Sequence, residues 1–357
     1  MDFSYILDAM IKHEASDVFI RAGSPLKGRV RSEVQTIDQH EFSVDDVQKV
    51  VDEIADEDKK ASLENTKSCE FAAWLGERWR FRIGIFYQRN TLTMVIRKID
   101  LNLPSFTQLN LPGKVLEKFC QERRGLILLT GITGSGKSTT IAAMVEYMNQ
   151  HFSRHILTIE EPIEFTFKDK KSLINQREIG KDVFSYADAL RQFAVHSPDV
   201  IYIGNIRDEQ TCHAALTAAE TGVLVLSTVH AVNAVSTIER VVNFFPSQHH
   251  AFILNQLSFL LKGVVTLRLL PRIDGNGQIP AYEVMTLSPT VSGLIRENKL
   301  WELPKYITTG GIHGMNTFNQ CLMELIDAGK IAPDVAMEQS DRKDELGLHL
   351  RKKELRR

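Results

Sequence analysis

Residues 124–140 read RGLILLTGITGSGKSTT, and this segment carries the strongest structural signal in the chain. Residues 125–130 are apolar up to a closing threonine and predict a buried β-strand, whereas residues 139–149 predict a helix. Between them, residues 131–138 match the pattern GxxxxGK[ST], which requires a strand before it and a helix after it. The stretch therefore predicts a phosphate-binding P-loop in an α/β nucleotide-binding domain.

Each residue type in this loop has a physical role in holding a nucleotide. Glycines let the backbone wrap closely around phosphate oxygens, and the helix that follows adds the positive end of its dipole. The Lys137 ammonium is expected to reach the β- and γ-phosphates, and the Ser138 hydroxyl to complete the coordination shell of Mg²⁺. The predicted cofactors are therefore ATP and Mg²⁺. The predicted ATP-binding residues of the loop are Gly131, Thr133, Gly134, Ser135, Gly136, Lys137, Ser138 and Thr139.

Short, continuously apolar runs recur on the C-terminal side of the loop. Including the first, they occupy residues 125–130, 155–159, 200–204 and 223–228. Such runs are typical of parallel strands buried on both faces, and their alternation with helix-like segments implies an α/β sheet with right-handed crossovers. Beyond residue 246 the pattern is mainly helical, apart from a β-like passage over residues 264–287.

The first hundred residues have a different, α+β pattern. Helices are predicted over residues 5–13 and 44–59, and strands over residues 17–21, 78–88 and 92–99, the last two as a hairpin. In that hairpin Phe81, Ile83 and Ile85 alternate with polar residues, so they are expected to share the buried face.

A stretch without clear periodicity, punctuated by Pro104 and Pro112, reads as a linker between the two patterns. The predicted organisation is an N-terminal domain over residues 1–99, a linker over 100–113, an ATPase domain over 114–290 and a helical C-terminal region with a basic tail over 291–357.

Composition excludes several classes of protein. The 357 residues carry 43 basic and 45 acidic side chains, so the net charge of −2 gives no reason to expect a nucleic-acid binder. No apolar run is long enough to span a membrane, and no secretory signal is visible. The four cysteines are scattered, which disfavours disulfides and structural zinc and indicates a reducing cytosol. The basic tail, residues 342–357, reads as a solvated helix rather than as a membrane or nucleic-acid patch.

Two strand ends carry candidate catalytic residues. The acidic segment Glu160-Glu161-Pro162-Ile163-Glu164 follows the strand at 155–159, and it is either a base and water-positioning cluster or an exposed acidic turn. The strand at 200–204 ends in Asn205, where P-loop enzymes usually place an acid. An amide does not accept a proton from water, so Asn205 is not a general base. Asp208, further along, is a candidate structural partner.

Other charged residues have a structural and a functional interpretation. His230 closes the apolar strand at 223–229 and is more often structural at such a place. Arg80, Arg82 and Arg97 lie on the N-terminal hairpin, either as solvated charges or as groups that reach a nucleotide across the gap between the domains.

In this order the elements resemble the secretion-type P-loop ATPases, and within them the PilT/PilU-like ATPases of type IV pilus retraction and twitching motility. The resemblance covers about residues 6–330, and the features FYQRN and FFP are more similar to the PilU branch. The motifs, besides the P-loop, are ASDVFI (15–20), FYQRN (86–90), NQRE (175–178), TAAETG (217–222), FFP (244–246), LIRENK (294–299) and GGIHGMNTF (310–318).

This resemblance implies an architecture and partners. It implies a PAS-like N-terminal domain, a RecA-like ATPase domain with nucleotide between the two, and a homo-hexameric ring. It also implies a cytoplasmic protein, peripheral at the inner membrane of a bacterium, that docks on the pilus platform protein there. A second, paralogous retraction ATPase is a further partner that the resemblance suggests.

Residue roles follow from the resemblance one position at a time. Lys137 and Ser138 match the P-loop lysine and magnesium-site serine, and Glu164 matches the glutamate taken to activate water, with Glu161 beside it as a second candidate. His230 matches the second histidine of the family's His box. Arg82 and Arg97 are similar to N-terminal-domain arginines that approach the phosphates, and LIRENK matches a motif tied to retraction.

Four departures from the family pattern cluster on the hydrolytic machinery. Asn205 stands where the Walker B strand has glutamate, and Glu161 where the Asp box has aspartate. Val223 stands where the His box begins with histidine, and Val195 where an arginine is expected. Two functions therefore stay open from the sequence: a motor that hydrolyses ATP to power pilus retraction, or a weakly hydrolysing, ATP-binding partner of a separate motor. A different P-loop enzyme, such as a small-molecule kinase, fits the N-terminal domain and the family motifs poorly.

Overall fold

A computed structural model describes residues 2–30, 33–75, 79–99 and 103–354. The chain divides into two compact units, Met1–Asn102 and Leu103–Arg357. That division falls within the predicted linker, whose residues 100–102 lie outside the described part, and the predicted domain boundaries stay a prediction. Within the described residues, none of the helices has the length and apolar character to cross a membrane.

The N-terminal unit is an antiparallel six-stranded sheet with helices packed against it. The strand order is β3-β2-β1-β6-β5-β4. The elements are α1 (Phe3–Lys12), β1 (Asp17–Arg21), β2 (Ser24–Val30), β3 (Glu33–Phe42), α2 (Val44–Ile54), α3 (Glu57–Thr66), β4 (Ser68–Leu75), β5 (Trp79–Gln88) and β6 (Thr91–Ile99). Phe81, Ile83 and Ile85 are buried on one face of β5, which confirms the alternation seen in the sequence.

Capping residues explain where this unit differs from the prediction. The predicted helix over residues 44–59 is two helices, because Ala55 is extended and the Asp56 side chain accepts a hydrogen bond from the backbone N–H of Lys59 to start α3. Arg89 and Asn90 adopt positive φ values of 48° and 63°, which suits a tight hairpin turn between β5 and β6. Arg80 is 4% exposed, so the interpretation of this arginine as a solvated charge is wrong.

The C-terminal unit is built on a seven-stranded sheet of order β13-β12-β7-β11-β10-β8-β9. All neighbouring strands are parallel except the pair β12 and β13. The strands are β7 (Gly125–Thr130), β8 (His155–Glu160), β9 (Leu173–Glu178), β10 (Val200–Ile203), β11 (Leu224–Val229), β12 (Leu261–Pro271) and β13 (Gln278–Thr286). The four predicted apolar strands are confirmed as its central, parallel members.

Helices cover both faces of this sheet. They are α4 (Gly113–Gln121), α5 (Lys137–His151), α6 (Tyr186–His196), α7 (Glu209–Glu220), α8 (Ala234–Asn243), α9 (His250–Leu260), α10 (Pro289–Arg296), α11 (Leu303–Thr309), α12 (Phe318–Asp327), α13 (Pro333–Gln339) and α14 (Lys343–Glu354). Separate apolar clusters lie on either side of the strands, as a doubly covered sheet requires. Asp208 caps α7 by accepting a hydrogen bond from the backbone N–H of Thr211, so its predicted structural role is confirmed.

The basic tail is less solvated than predicted. Leu346 of α14 is fully buried in a cluster with residues of β12, β13, α12 and α13. Arg268 of β12 lies 3.8 Å from the centre of the Phe318 ring and donates to the Asp341 carboxylate at 2.7 Å. These contacts attach the C-terminal helices to the sheet.

Candidate nucleotide site

The loop between β7 and α5 has the backbone that phosphate binding requires. Gly131, Gly134 and Gly136 adopt positive φ values of 142°, 77° and 93°. A Cβ atom at Gly131 would lie 2.4 Å from the Ser135 hydroxyl oxygen and 2.5 Å from the carbonyl oxygen of Leu267. Because both values are far below contact distance, only glycine fits at this position.

Two polar side chains face into the loop. Lys137 is buried, and its ammonium donates to the carbonyl oxygens of Gly131 at 3.0 Å and Ile132 at 2.7 Å. Burial lowers the pKa of Lys137, while the negative charge of Glu164 opposes that shift. The Ser135 hydroxyl is also buried, and among the described residues it has no hydrogen-bond partner.

These features fit the phosphates of a nucleotide. Gly136, at the N-terminus of the 15-residue helix α5, has no side chain to accept a hydrogen bond from the first backbone N–H groups of the helix. Together with the Ser135 hydroxyl and Lys137 they form a set of donors around one loop. Thr133 and Gly134 lie exposed at its tip, and Ser138 and Thr139 are half-buried on the first turn of α5.

An acidic cavity of about 140 Å³ lies beside the loop, where β8 and β10 end. Four residues predicted from the sequence meet there, namely Ser138, Glu161, Glu164 and Asn205. The other lining residues are Glu160, Pro162, Tyr186, Tyr202, Gly204 and Arg207. The acidic segment therefore lines a cavity beside the P-loop, and its role as a base and water-positioning cluster stays a prediction. We call this set of residues the acidic cavity.

The three carboxylates of the acidic cavity have different surroundings. Glu160 is buried and accepts hydrogen bonds from the Thr158 hydroxyl at 2.7 Å and the Gln176 amide at 3.3 Å. Burial raises the pKa of Glu160 to about 7. Glu161 is exposed and forms an ion pair with Arg207. Glu164 is half-buried, and its charge acts on Lys137.

Asn205 and His230 lie at the ends of neighbouring strands. The Asn205 side-chain oxygen accepts from the Thr228 hydroxyl of β11 at 3.4 Å, and that hydroxyl also donates to the Gly204 carbonyl at 2.7 Å. Lys137 and the backbone of Gly131 both influence the pKa of His230, so this side chain lies close to the loop. Partial burial lowers the pKa of His230, and the charge of Lys137 lowers it further. Both effects favour the neutral imidazole.

The remaining predicted residues lie elsewhere. Arg82 pairs with Glu70, and the Arg97 guanidinium donates to Asp17 at 2.7 Å, both within the N-terminal unit. Their approach to a phosphate stays a prediction. Val195 is 85% exposed on α6, whereas Val223 is buried next to the start of β11.

Sequence reasoning missed Tyr186, Tyr202, Gln176 and Arg207. Gln176 belongs to β9, an edge strand whose mixed polar sequence does not have the apolar pattern of the central strands. Tyr202 was hidden inside an apolar run, although strand alternation places it on the same face as Gly204. This alternation of side chains along the strand is the sequence signal by which Tyr202 could have been assigned to the site.

The acidic cavity also suits Mg²⁺. Ser138, Glu160 and Glu164 offer the oxygen ligands that this ion prefers. In the described residues no three His, Cys, Asp or Glu side chains converge as a metal cluster. Mg²⁺ generally takes one or two protein ligands and completes its shell with substrate phosphates and water.

Comparisons with known proteins place this arrangement in a family. A family model described as type II/IV secretion system protein matches residues 3–298. The chain belongs to that family. It is 36% identical to the type IV pilus ATPase PilU of Pseudomonas aeruginosa, covering 98% of this chain and 92% of the relative. It is 38% identical to the type IV pilus retractation ATPase PilT of the same organism, covering 95% and 98%.

A solved structure extends this similarity to three dimensions. The crystal structure of the pilus retraction motor PilT with bound ADP superposes with a TM-score of 0.89 at 40% identity, covering 97% of this chain and 98% of that one. The predicted fold class is thereby confirmed: a PAS-like α+β N-terminal unit and a RecA-like P-loop ATPase unit with a helical C-terminal extension. This PilT/PilU-like member of the family is a P-loop ATPase that binds nucleotide.

Proposed function

We propose that this chain is a motor subunit that hydrolyses ATP to power type IV pilus retraction. The observation that carries the proposal is an intact P-loop whose buried lysine donates to the loop carbonyls and is close enough to Glu164 for that carboxylate's charge to act on it. The pilus is inferred from the relatives, whose names specify type IV pilus ATPases and a retraction motor.

The residue roles in this proposal follow from the surroundings of each group. Lys137, the loop N–H groups and the Ser135 hydroxyl bind the phosphates, and Ser138 is the protein ligand of Mg²⁺, which when bound neutralises phosphate charge. Glu164 is the base that takes a proton from the attacking water. It lines the acidic cavity together with Ser138, its charge acts on Lys137, and it matches the glutamate that the family is taken to use to activate water.

Assembly and location belong to the same proposal. The chain forms a homo-hexameric ring on the cytoplasmic face of the inner membrane, docked on the pilus platform protein. Arg82 and Arg97 of a neighbouring N-terminal unit then approach the phosphates. A paralogous retraction ATPase is a further partner. Saturating Mg-ATP is expected to strengthen the hexamer in sedimentation velocity, and a chain that remains monomeric under those conditions would exclude this part of the proposal.

Phosphate release by the full chain with Mg-ATP tests the motor directly. We expect turnover in the wild type that Lys137→Ala removes. Absence of turnover that Asn205→Glu restores would instead favour the alternative, a weakly hydrolysing, ATP-binding partner of a separate motor. Measuring the two variants in parallel separates a missing base from a failure to bind nucleotide.

A further inference from the structure

The loop that carries Glu164 lies outside the regular secondary structure. In the described part of the chain, residues 161–172 join β8 to β9 and belong to neither a helix nor a strand. Backbone N–H and C=O groups that are removed from water in such a loop need hydrogen-bond partners from elsewhere. Phe167 of this loop packs against the apolar cluster that includes residues of α5, so the loop is attached to the sheet unit. The direction of the Glu164 side chain therefore depends on what holds its neighbouring residues.

Gln176 of β9 supplies such partners next to Glu164. Its amide nitrogen donates to the Phe165 carbonyl oxygen at 2.8 Å, and its amide oxygen accepts from the Phe167 N–H at 3.0 Å. A residue of a parallel neighbouring strand would bind the same pair of groups, a C=O and the N–H two residues further on. The amide nitrogen also donates to the Glu160 carboxylate at 3.3 Å, so one side chain joins the loop to the buried carboxylate.

Asn149 of α5 holds the far end of the loop in the same way. This side chain is fully buried, donates to the Lys168 carbonyl oxygen at 2.8 Å and accepts from the Lys170 N–H at 3.0 Å. Two amides from different elements therefore give the loop the hydrogen bonds that a neighbouring strand would give. Of the two, Gln176 binds the residue directly after Glu164, whereas Asn149 binds residues further along the loop.

The residue before Glu164 is bound by the same strand, β9. Glu178, which is 5% exposed, accepts a hydrogen bond from the Ile163 N–H at 3.3 Å. Gln176 and Glu178 lie two residues apart on β9 and therefore project from the same face of the sheet. They belong to the motif NQRE (175–178), which has no role in the ATP site as described so far. The motif thus binds the loop on both sides of Glu164.

We propose that Gln176 is the positioning residue of Glu164: by holding Phe165 it fixes the position from which the Glu164 carboxylate enters the acidic cavity. Gln176 does not itself line that cavity, so it acts through the loop and not on the nucleotide. Proton transfer needs a base within hydrogen-bond reach of the attacking water, and a displacement of about 1 Å can cost roughly 100-fold in rate. This inference rests on the proposed function, in which Glu164 is that base.

The test is steady-state phosphate release by Gln176→Met in the full chain, because methionine keeps the length of the side chain and removes its amide donor and acceptor. We expect kcat to fall by roughly 10- to 100-fold. KM for ATP and the affinity for ADP should stay within about two-fold, since the P-loop is untouched. A merely structural defect would weaken nucleotide binding as well. In the Glu164→Gln background the same substitution should cost nothing further, because a base that is absent cannot be misplaced.

Three further variants separate positioning of the loop from other effects. Gln176→Glu keeps the side-chain acceptor and loses the donor, so kcat should fall as in Gln176→Met. Thr158→Val removes the other hydrogen bond to Glu160 and should lose clearly less turnover. Gln192→Met is the matched control and should keep wild-type turnover, because that amide accepts from Arg177, the neighbour of Gln176 in the chain, at 2.9 Å.

Amide hydrogen exchange gives a readout that needs no hydrolysis. In the ADP-bound chain, the Phe167 N–H should exchange roughly 10-fold faster in Gln176→Met than in the wild type, the effect of losing one ordinary hydrogen bond, while β8 keeps its protection. A wild type without turnover would contradict the motor, and exchange at Phe167 would then decide whether Gln176 holds the loop.

Unchanged kcat in Gln176→Met or Gln176→Glu would overturn the inference. A further loss in the Glu164→Gln background would do the same, and so would a loss in Thr158→Val or Gln192→Met equal to that in Gln176→Met. Unchanged exchange at Phe167 would remove the hydrogen bond on which the proposal depends.

Discussion

The two walls of the nucleotide site are built in different ways. The P-loop is one continuous segment, residues 131–138, whose conformation depends on its own glycines and on the helix that follows. Apart from Ser138, which it shares with the P-loop, the acidic cavity takes its residues from β8, β10, α6 and the turns after the two strands. The P-loop can bind phosphate wherever its sequence pattern occurs between a strand and a helix. In the acidic cavity, by contrast, the role of each carboxylate depends on the side chains that surround it in the folded chain.

The largest effect should come from the contiguous wall. Lys137→Ala removes the buried ammonium of the P-loop, and we expect nucleotide binding to be lost, with affinity falling by more than about 1,000-fold. Calorimetric titration with ADP measures this. Lys114→Ala, an exposed lysine on α4, is the control and should bind ADP as the wild type does. Tight binding by Lys137→Ala would contradict the role of the loop.

In the acidic cavity, Glu164→Gln should have the next largest effect. It replaces the proposed base with an amide of the same shape, so kcat should fall by ~10²–10⁴ while ADP affinity is retained. Steady-state phosphate release, with binding measured on the same preparation, separates the two quantities. A variant that keeps most of its turnover would move the base to another carboxylate.

The pH dependence of stability distinguishes the buried carboxylate from its exposed neighbours. Burial raises the pKa of Glu160 from 4.5 to about 7, so the folded chain holds this proton more tightly than the unfolded chain. Its contribution to stability is therefore present below pH 4.5 and is lost as the pH rises through about 7, up to roughly 3 kcal/mol.

Glu160→Gln has no such proton, so its urea midpoint should rise relative to that of the wild type between pH 5 and pH 8. Glu283→Gln is the matched control, because burial also raises the pKa of Glu283 to about 7 and this residue of β13 does not line the acidic cavity. Each variant should remove its own contribution to the change of the urea midpoint with pH. If Glu160→Gln leaves the pH dependence of the urea midpoint unchanged, Glu160 does not titrate between pH 5 and pH 8.

The smallest effect is expected at Glu161. Its ion pair with Arg207 is exposed, so Glu161→Gln should cost less than about 1 kcal/mol of stability. Turnover should fall far less than in Glu164→Gln. If the two variants lose turnover equally, the two carboxylates act together and Glu164 is not the sole base.

Sequence reasoning recovered the strongly patterned parts of the molecule. The four central strands and the helix after the P-loop have the predicted positions within a few residues, because buried parallel strands are apolar throughout. It missed β9, which is a mixed polar edge strand, and it merged α2 with α3, which a single capping aspartate separates. It brought Ser138, Glu161, Glu164 and Asn205 into one site but could not rank them.

Residue types at fixed spacing were enough to predict the P-loop, the family and the absence of an acid at position 205. The pairing of Arg207 with Glu161, and the hydrogen bonds from Thr158 and Gln176 to Glu160, became visible only in the folded chain. The protonation and availability of a carboxylate are set by the charges and donors within a few ångströms. In a parallel sheet those neighbours come from strands that lie tens of residues apart along the chain.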